Sequence, residues 1–199
     1  MRAAGRRANA GRGYRATAGL RARFAHHPNR LWGTHVTRRD QGWVGDITDL
    51  RVRGGWRYLA IVMDQYSRRV LAWTLTRRRT TAVTGAGLAR AVHRRRPPAG
   101  VIFHSDRGSE YMGAAFCALV TRLGLRQSAR VRGPGDNAHA ESFFHSLKAE
   151  LTRGVTFLTD RAPFTALDVD IVYIRYDNTR RLHSALGDHS PIAFERRAA

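Results

Sequence analysis

Asp46, Asp106 and Glu141 are the acids of this chain whose settings could support chemistry. Asp46 lies inside the apolar run Trp43-Val44-Gly45-Asp46-Ile47-Thr48, and Asp106 comes directly after the apolar run Val101 to His104. Glu141 falls in a helical stretch that begins after Asp136. Acids beside apolar strands are costly to keep unless they are paired, capped or bound to metal. Taken singly, a cap, a salt bridge or a solvated side chain is the commoner role. Several carboxylates brought to one place would repel one another, and a divalent cation removes that penalty. A purely oxygen donor set selects Mg²⁺ or Mn²⁺. Two such ions, about 3.5–4 Å apart, can activate a water or a 3′-hydroxyl and stabilise a leaving oxygen.

The elements that must carry these residues are legible from apolar patterning. Three consecutive strand-like runs, at residues 43–48, 56–64 and 70–75, are joined by short turns and suggest an antiparallel meander. A helix is expected over 80–94, then a short buried strand at 101–104. A second helix is expected over 109–123 with Gly124 as its stop, followed by a short strand at 125–128. Gly133-Pro134-Gly135 reads as a loop, Asp136 as a cap, and residues 137–152 as a helix. A further helix is expected over 163–182, and Ser190-Pro191 opens a last one. The order βββ-α-β-α-β-α-α predicts an α/β protein with a mixed five-stranded sheet flanked by helices, which is the RNase H-like order. On the 137–152 helix, Glu141, His145, Lys148 and Thr152 lie within about 60° of one another. Ala140, Phe143, Phe144, Leu147 and Leu151 form a separate apolar stripe that can dock on a core. Trp43, Trp56, Trp73 and Cys117 are expected in the core, and His104 packed and hydrogen-bonded at its strand end.

Charge narrows the partner. The 199 residues hold 35 Lys+Arg against 15 Asp+Glu, a formal net charge of +20. That is the electrostatic footprint of a polyanion binder, most often of nucleic acid. Half of the excess lies before the first acid, Asp40, and residues 1–30 read as a basic arm, flexible unless nucleic acid orders it. Residues 31–199 read as the folded core. The single cysteine excludes an internal disulfide framework and fits a reducing cytosol. No run of 18 apolar residues could cross a membrane.

Three segments then bear on family: the run 43–48, His104-Ser105-Asp106-Arg107-Gly108-Ser109-Glu110-Tyr111, and Asp136-Asn137-Ala138-His139-Ala140-Glu141-Ser142-Phe143-Phe144. They resemble the three motifs of the DDE transposase and retroviral-integrase superfamily, in particular the catalytic protein of bacterial insertion-sequence-three-type transposons. Asp64-Gln65-Tyr66-Ser67-Arg68-Arg69 and Arg181-Leu182-His183-Ser184-Ala185-Leu186-Gly187 are similar to two more segments of that group. The resemblance covers roughly residues 27–197. It implies an RNase H-like core in which Asp46, Asp106 and Glu141 hold Mg²⁺, or Mn²⁺ in its place, as two ions. It also implies cleavage at transposon ends followed by transfer of the new 3′-hydroxyl to a second phosphodiester. Transposon-end and target DNA are the implied partners. Lys148, seven residues after Glu141, is the implied contact to the DNA end, and His145, Asn137, Arg107, Arg180, Arg181 and His183 are candidate DNA contacts.

The resemblance further implies a multimer of this chain on DNA in the bacterial cytoplasm, at the nucleoid. Two departures stand beside it. Asp106 and Glu141 are separated by 34 residues, one fewer than the family commonly has, and the shortening falls between Ser128 and Asp136. No upstream helix-turn-helix is legible, so DNA recognition is expected to come from a separate protein of an upstream reading frame, or the copy is truncated. The competing readings are a catalytically silent DNA-binding remnant and, disfavoured by the 181–187 match, another RNase H-like nuclease.

Overall fold

The computed structural model describes residues 27–52, 55–130, 137–153 and 173–198. Expectations for the arm up to residue 26, for the 133–135 loop, for the Asp136 cap and for the first part of the 163–182 helix lie outside them. Strands β1 (Gly42–Val52), β2 (Gly55–Asp64) and β3 (Val70–Thr76) form the antiparallel meander. β4 (Ile102–Ser105) then pairs parallel with β1, and β5 (Arg126–Ala129) parallel with β4. The sheet order is β3-β2-β1-β4-β5, the mixed five-stranded sheet expected. Parallel neighbours need long crossovers. These are supplied by α1 (Thr81–Arg95), α2 (Ser109–Met112) and α3 (Ala114–Arg122). α4 (Ala138–Arg153), α5 (Arg175–Thr179), a 3₁₀ turn at Ser184–Leu186 and α6 (Pro191–Arg197) follow the sheet.

Strand residues alternate between two buried layers, as a period of two requires. Val44, Leu59, Ile61 and Met63 pack with Ala140, Phe143, Phe144 and Leu147 of α4. Trp43, Val62, Leu71 and Phe103 pack with Leu88 and Ala91 of α1 and Phe116 and Val120 of α3. Each central strand is therefore apolar on both faces, which is why it reads as a continuous apolar run. The four described residues of the predicted α4 stripe are all buried.

Three expectations are corrected. Trp56 is half exposed, because the β1–β2 hairpin carries it beyond the packed part of the sheet. The single helix expected over 109–123 is two, broken at Gly113, whose ψ of 143° is extended. The helix expected to reach 182 stops at Thr179. Cys117 sits at the core's margin, half-buried, with Sγ 3.7 Å from His27 Nε2. His27 to Arg30 lie along β5, where Arg30 N–H donates to Ser128 Oγ at 2.8 Å and Arg30 Nε to the Gln127 carbonyl at 3.2 Å.

A buried ionic clamp ties the last helix to this frame. Glu195 of α6 accepts from Ser67 Oγ at 2.8 Å, Arg69 Nη1 at 2.8 Å and Arg95 Nη2 at 2.6 Å. Arg95 Nε also donates to Asp40 Oδ1 at 2.8 Å. Asp64, fully buried at the β2–β3 turn, accepts the N–H groups of Tyr66, Ser67 and Asp40 at 3.0, 2.9 and 2.8 Å.

Candidate active site

Asp46 and Asp106 owe their proximity to the parallel pairing of β1 and β4. The ladder ends at Gly45↔Ser105, so the next residue of each chain segment is an aspartate: Asp106 at the carboxyl end of β4, and Asp46 within β1, which runs on beyond that ladder. Open α/β sheets bind ligands at such ends. Gly45 is needed there: a Cβ on it would lie 2.4 Å from Phe103 Cζ, whose ring is fully buried beneath the strand. Asp46 Oδ1 accepts the Ile47 N–H at 2.8 Å, and Asp106 Oδ1 accepts the Gly108 N–H at 2.9 Å. Gly108 in turn lets two carboxylates close in, since its Cβ would stand 2.6 Å from Glu110 Oε2 and 2.9 Å from Asp106 Oδ1.

Glu141 comes from the first turn of α4, whose apolar stripe lies on the same sheet face as Val44, two residues and thus one pleat from Asp46. Its side chain is 54% exposed and its Oε1 meets Arg130 Nη1 at 3.3 Å. Burial pushes the Asp46 carboxyl up to about 6; the Ile47 N–H opposes this, the charges of Asp106 and Glu141 add to it, and Arg79 lowers it. The charges of Asp106 and Glu141 therefore both reach Asp46. Burial also raises the Tyr111 phenol, with Asp46 and Asp106 as the next causes.

Among the described residues no three His, Cys, Asp or Glu side chains already form a closed metal-ligand group. The donors nonetheless suit a hard divalent cation. They are carboxylate oxygens only, and the most buried of them, Asp46, carries an anionic charge its neighbours make worse.

The other candidate residues divide into two groups. Arg107 directly follows Asp106, while His145, exposed, and Lys148, half-buried, share the Glu141 side of α4. Asn137 is buried before α4, and its carbonyl accepts the Glu141 N–H at 3.0 Å. Arg181 and His183 are not brought to the acids. Arg181 pairs with Glu150, reaches Asp177 Oδ1 at 2.9 Å, and lies over the Tyr173 and Tyr176 rings at 5.3 Å each. His183 Nε2 stands 3.7 Å from Asp177. Arg180 is exposed beside them. His104 is fully buried with Nδ1 2.8 Å from Ser128 Oγ, the packed, hydrogen-bonded histidine expected.

Sequence reasoning missed Glu110, Arg79 and Arg130. Glu110 is buried near Asp106 and forms an ion pair with Arg79, which stands close enough to act on Asp46. Glu110 was open to detection, four residues after Asp106 at a predicted helix start. Arg79 and Arg130 carry no local signal among so many arginines.

Comparisons with known proteins agree with this architecture. An integrase core domain model matches residues 36–133, and a second integrase core domain model matches residues 141–198. Transposase InsF for insertion sequence IS3A of Escherichia coli (strain K12) is 42% identical over 157 residues, 78% of this chain and 54% of that protein. The chain thus spans about half the length of the first such relatives. An uncharacterized 31 kDa protein of insertion element IS600 from Shigella sonnei is 36% identical over 185 residues, 92% of this chain and 67% of that protein. In structure, the simian T-cell lymphotropic virus intasome in complex with PP2A regulatory subunit B56 gamma matches with TM-score 0.69 and 19% identity, over 81% of this chain and 57% of that one. The HTLV-2 integrase catalytic core domain in complex with magnesium (trimeric form) matches with TM-score 0.63 and 15% identity, over 81% of this chain and 99% of that one. The sheet is RNase H-like, and with sequence matches running from residue 36 to residue 198 the chain belongs to the integrase-core family of insertion-sequence-three-type transposases.

Proposed function

We propose that this chain is the catalytic core of a transposase that cleaves DNA at insertion-sequence ends and joins the new 3′-hydroxyl to target DNA. The observation that carries this reading is Asp46: a half-buried carboxyl within β1, beside the end of β4, facing the charges of Asp106 and Glu141. Asp46, Asp106 and Glu141 would hold Mg²⁺, or Mn²⁺ in its place, as two ions. Such ions supply positive charge to the attacking and leaving oxygens of a phosphodiester.

The chain's own residues then hold and orient. The β1–β4 ladder fixes the two aspartates relative to each other, and α4 presents Glu141 from a packed helix face. Arg130 keeps Glu141 paired until a cation competes for it, and the Glu110–Arg79 ion pair holds a positive charge beside Asp46. In the first reaction water adds to phosphorus and a 3′-oxygen leaves as a hydroxyl. In the second, that hydroxyl adds to another phosphodiester and a second 3′-oxygen leaves. One P–O bond forms as one breaks, so no covalent enzyme intermediate is needed. Lys148, His145, Asn137 and Arg107 would contact the DNA end. We further propose that the chain works as a multimer on DNA in the cytoplasm, at the nucleoid, with a separate helix-turn-helix protein for end recognition. Among the described residues no helix is long and apolar enough to cross a membrane.

The test is nicking and strand transfer on DNA carrying the parent element's ends, with Mg²⁺. Asp46→Asn, Asp106→Asn and Glu141→Gln should each abolish both reactions and leave DNA binding intact. Wild-type protein inactive on such ends would overturn the reading. The second reading, a silent DNA-binding remnant, draws on Glu141 being engaged by Arg130. Mn²⁺ binding that requires all three acids would exclude it.

A further inference from the structure

Two sequence segments found no role at the acidic site: Asp64 to Arg69 and Arg181 to Gly187. More than a hundred residues apart, they meet in one cavity of about 360 Å³. Arg68 enters from the β2–β3 turn, and Arg181, His183 and Ser184 enter from the segment after α5. Ser142 and Ser146 of α4 form a third wall. At 100° per residue these serines lie about 100–140° round α4 from Glu141, so the cavity is on another flank of the helix.

The cations of this cavity are unequally supplied with partners. Arg181 has Glu150, Asp177 and two aromatic rings. Arg68 has no such set. Its Nη1 is shut off from solvent and has no hydrogen-bond partner among the described residues. Burial lowers its pKa to about 10, and the one opposing influence is the charge of Asp64. Asp64 is already occupied: Oδ1 accepts Tyr66 N–H, Ser67 N–H and Ser67 Oγ, and Oδ2 accepts Asp40 N–H. Arg68 remains protonated at neutral pH, and a half-buried guanidinium with an Nη1 that no described residue hydrogen-bonds is costly. The backbone adds to that cost, since Arg68 sits at φ +62°. Ser142, Ser146 and Ser184 line the same space together with Asp177, whose charge Arg181 meets, and with the exposed Leu182. A guanidinium short of described partners, with Arg181 and three serines on the same walls, matches a tetrahedral oxyanion, because each oxygen can take a donor.

We propose that this cavity binds one phosphate group, seated against Arg68 with the serine hydroxyls as further donors. The group comes either from a DNA strand bound elsewhere along the protein or from free phosphate. The DNA source rests on the transposase reading; the phosphate chemistry does not.

The experiment uses the full chain without divalent metal, at constant ionic strength. Inorganic phosphate is titrated against wild type, Arg68→Gln, Arg68→Lys and the double variant Ser142→Ala/Ser146→Ala, followed by amide chemical shifts and melting temperature. We expect phosphate affinity to fall at least about tenfold in Arg68→Gln. It should fall less in the serine variant and recover in Arg68→Lys. Equal phosphate response in wild type and a folded Arg68→Gln would overturn the proposal. Should Arg68→Gln fail to fold, an unchanged response in the serine variant overturns it. A second arm measures duplex affinity against salt. A slope smaller by about 1 in Arg68→Gln assigns the phosphate to DNA. An unchanged slope with Arg68-dependent phosphate binding assigns it to the free ion. Cleavage is read separately, with Asp46→Asn as the blank: absence of wild-type cleavage with Arg68-dependent phosphate binding defeats the transposase reading alone, and wild-type cleavage without Arg68-dependent phosphate binding defeats the cavity alone.

Discussion

Two groups of acids in this molecule sit in opposite conditions. Glu195 and Asp64, around the β2–β3 turn, are buried and saturated: Ser67, Arg69 and Arg95 donate to one, and backbone N–H groups to the other. Asp46 within β1, Asp106 just past β4 and Glu141 on α4 have one described donor each, and the charges of Asp106 and Glu141 add to the cost of charging Asp46. Burial would push Glu195 up, yet its three donors bring it below the usual carboxylate range. Asp46, with a single N–H, is left at about 6. An acid that serves the fold has its oxygens occupied; an acid that serves a ligand keeps them available.

The largest expected effect tests that contrast directly. Asp46→Asn or Asp106→Asn should lower Mg²⁺-dependent strand cleavage by at least about 10³-fold, a loss of several kcal/mol of transition-state stabilisation. The same variants should melt at or above the wild-type temperature without metal, since each removes a repelling charge. A fall in melting temperature would place these acids with the structural group.

Arg95→Ala should do the reverse, costing about 3–5 kcal/mol of stability by leaving Glu195 and Asp40 short of a buried partner. Denaturant unfolding checks this, and a loss below about 1 kcal/mol would show the clamp to be dispensable. The clamp also fixes a pH response. Because the folded Glu195 pKa is depressed, its contribution is present above the unfolded carboxylate value and is lost as pH falls through the folded one. Urea midpoints from pH 6 downward should therefore fall more steeply for wild type than for Glu195→Gln.

Gly45→Ala should cost about 1–3 kcal/mol, because the new methyl meets the buried Phe103 ring. It should also lower activity by displacing the neighbouring Asp46. Smallest is Arg130→Ala, where the exposed pair with Glu141 is worth about 0–1 kcal/mol. Mn²⁺ affinity should stay equal or improve, since a competitor for Glu141 is gone.

The order of strands and helices and the apolar settings of the candidate aspartates were legible because both are written locally. Apolar runs mark strands that are buried on two faces, and Asp46 and Asp106 each interrupt or end such a run. The α4 stripe, Ala140 to Leu147, was legible for the same reason. The clamp was not, because Arg95, Asp40 and Glu195 are joined across 55 and 100 residues and none differs locally from its many neighbours in charge. The break at Gly113 escaped because the apolar residues on either side keep a helical period through it. Trp56 was misplaced because composition marks a strand but not how far its packed cover extends.

The ladder that ends at Gly45↔Ser105 also limits how such a chain can vary by inheritance. A residue gained or lost within β1 or β4 shifts register by one and turns an aspartate to the opposite face of the sheet. A residue gained or lost between β5 and α4 touches no ladder. Length variation among descendants should therefore collect between Ala129 and Asn137, and be purged from the two strands that set Asp46 beside Asp106.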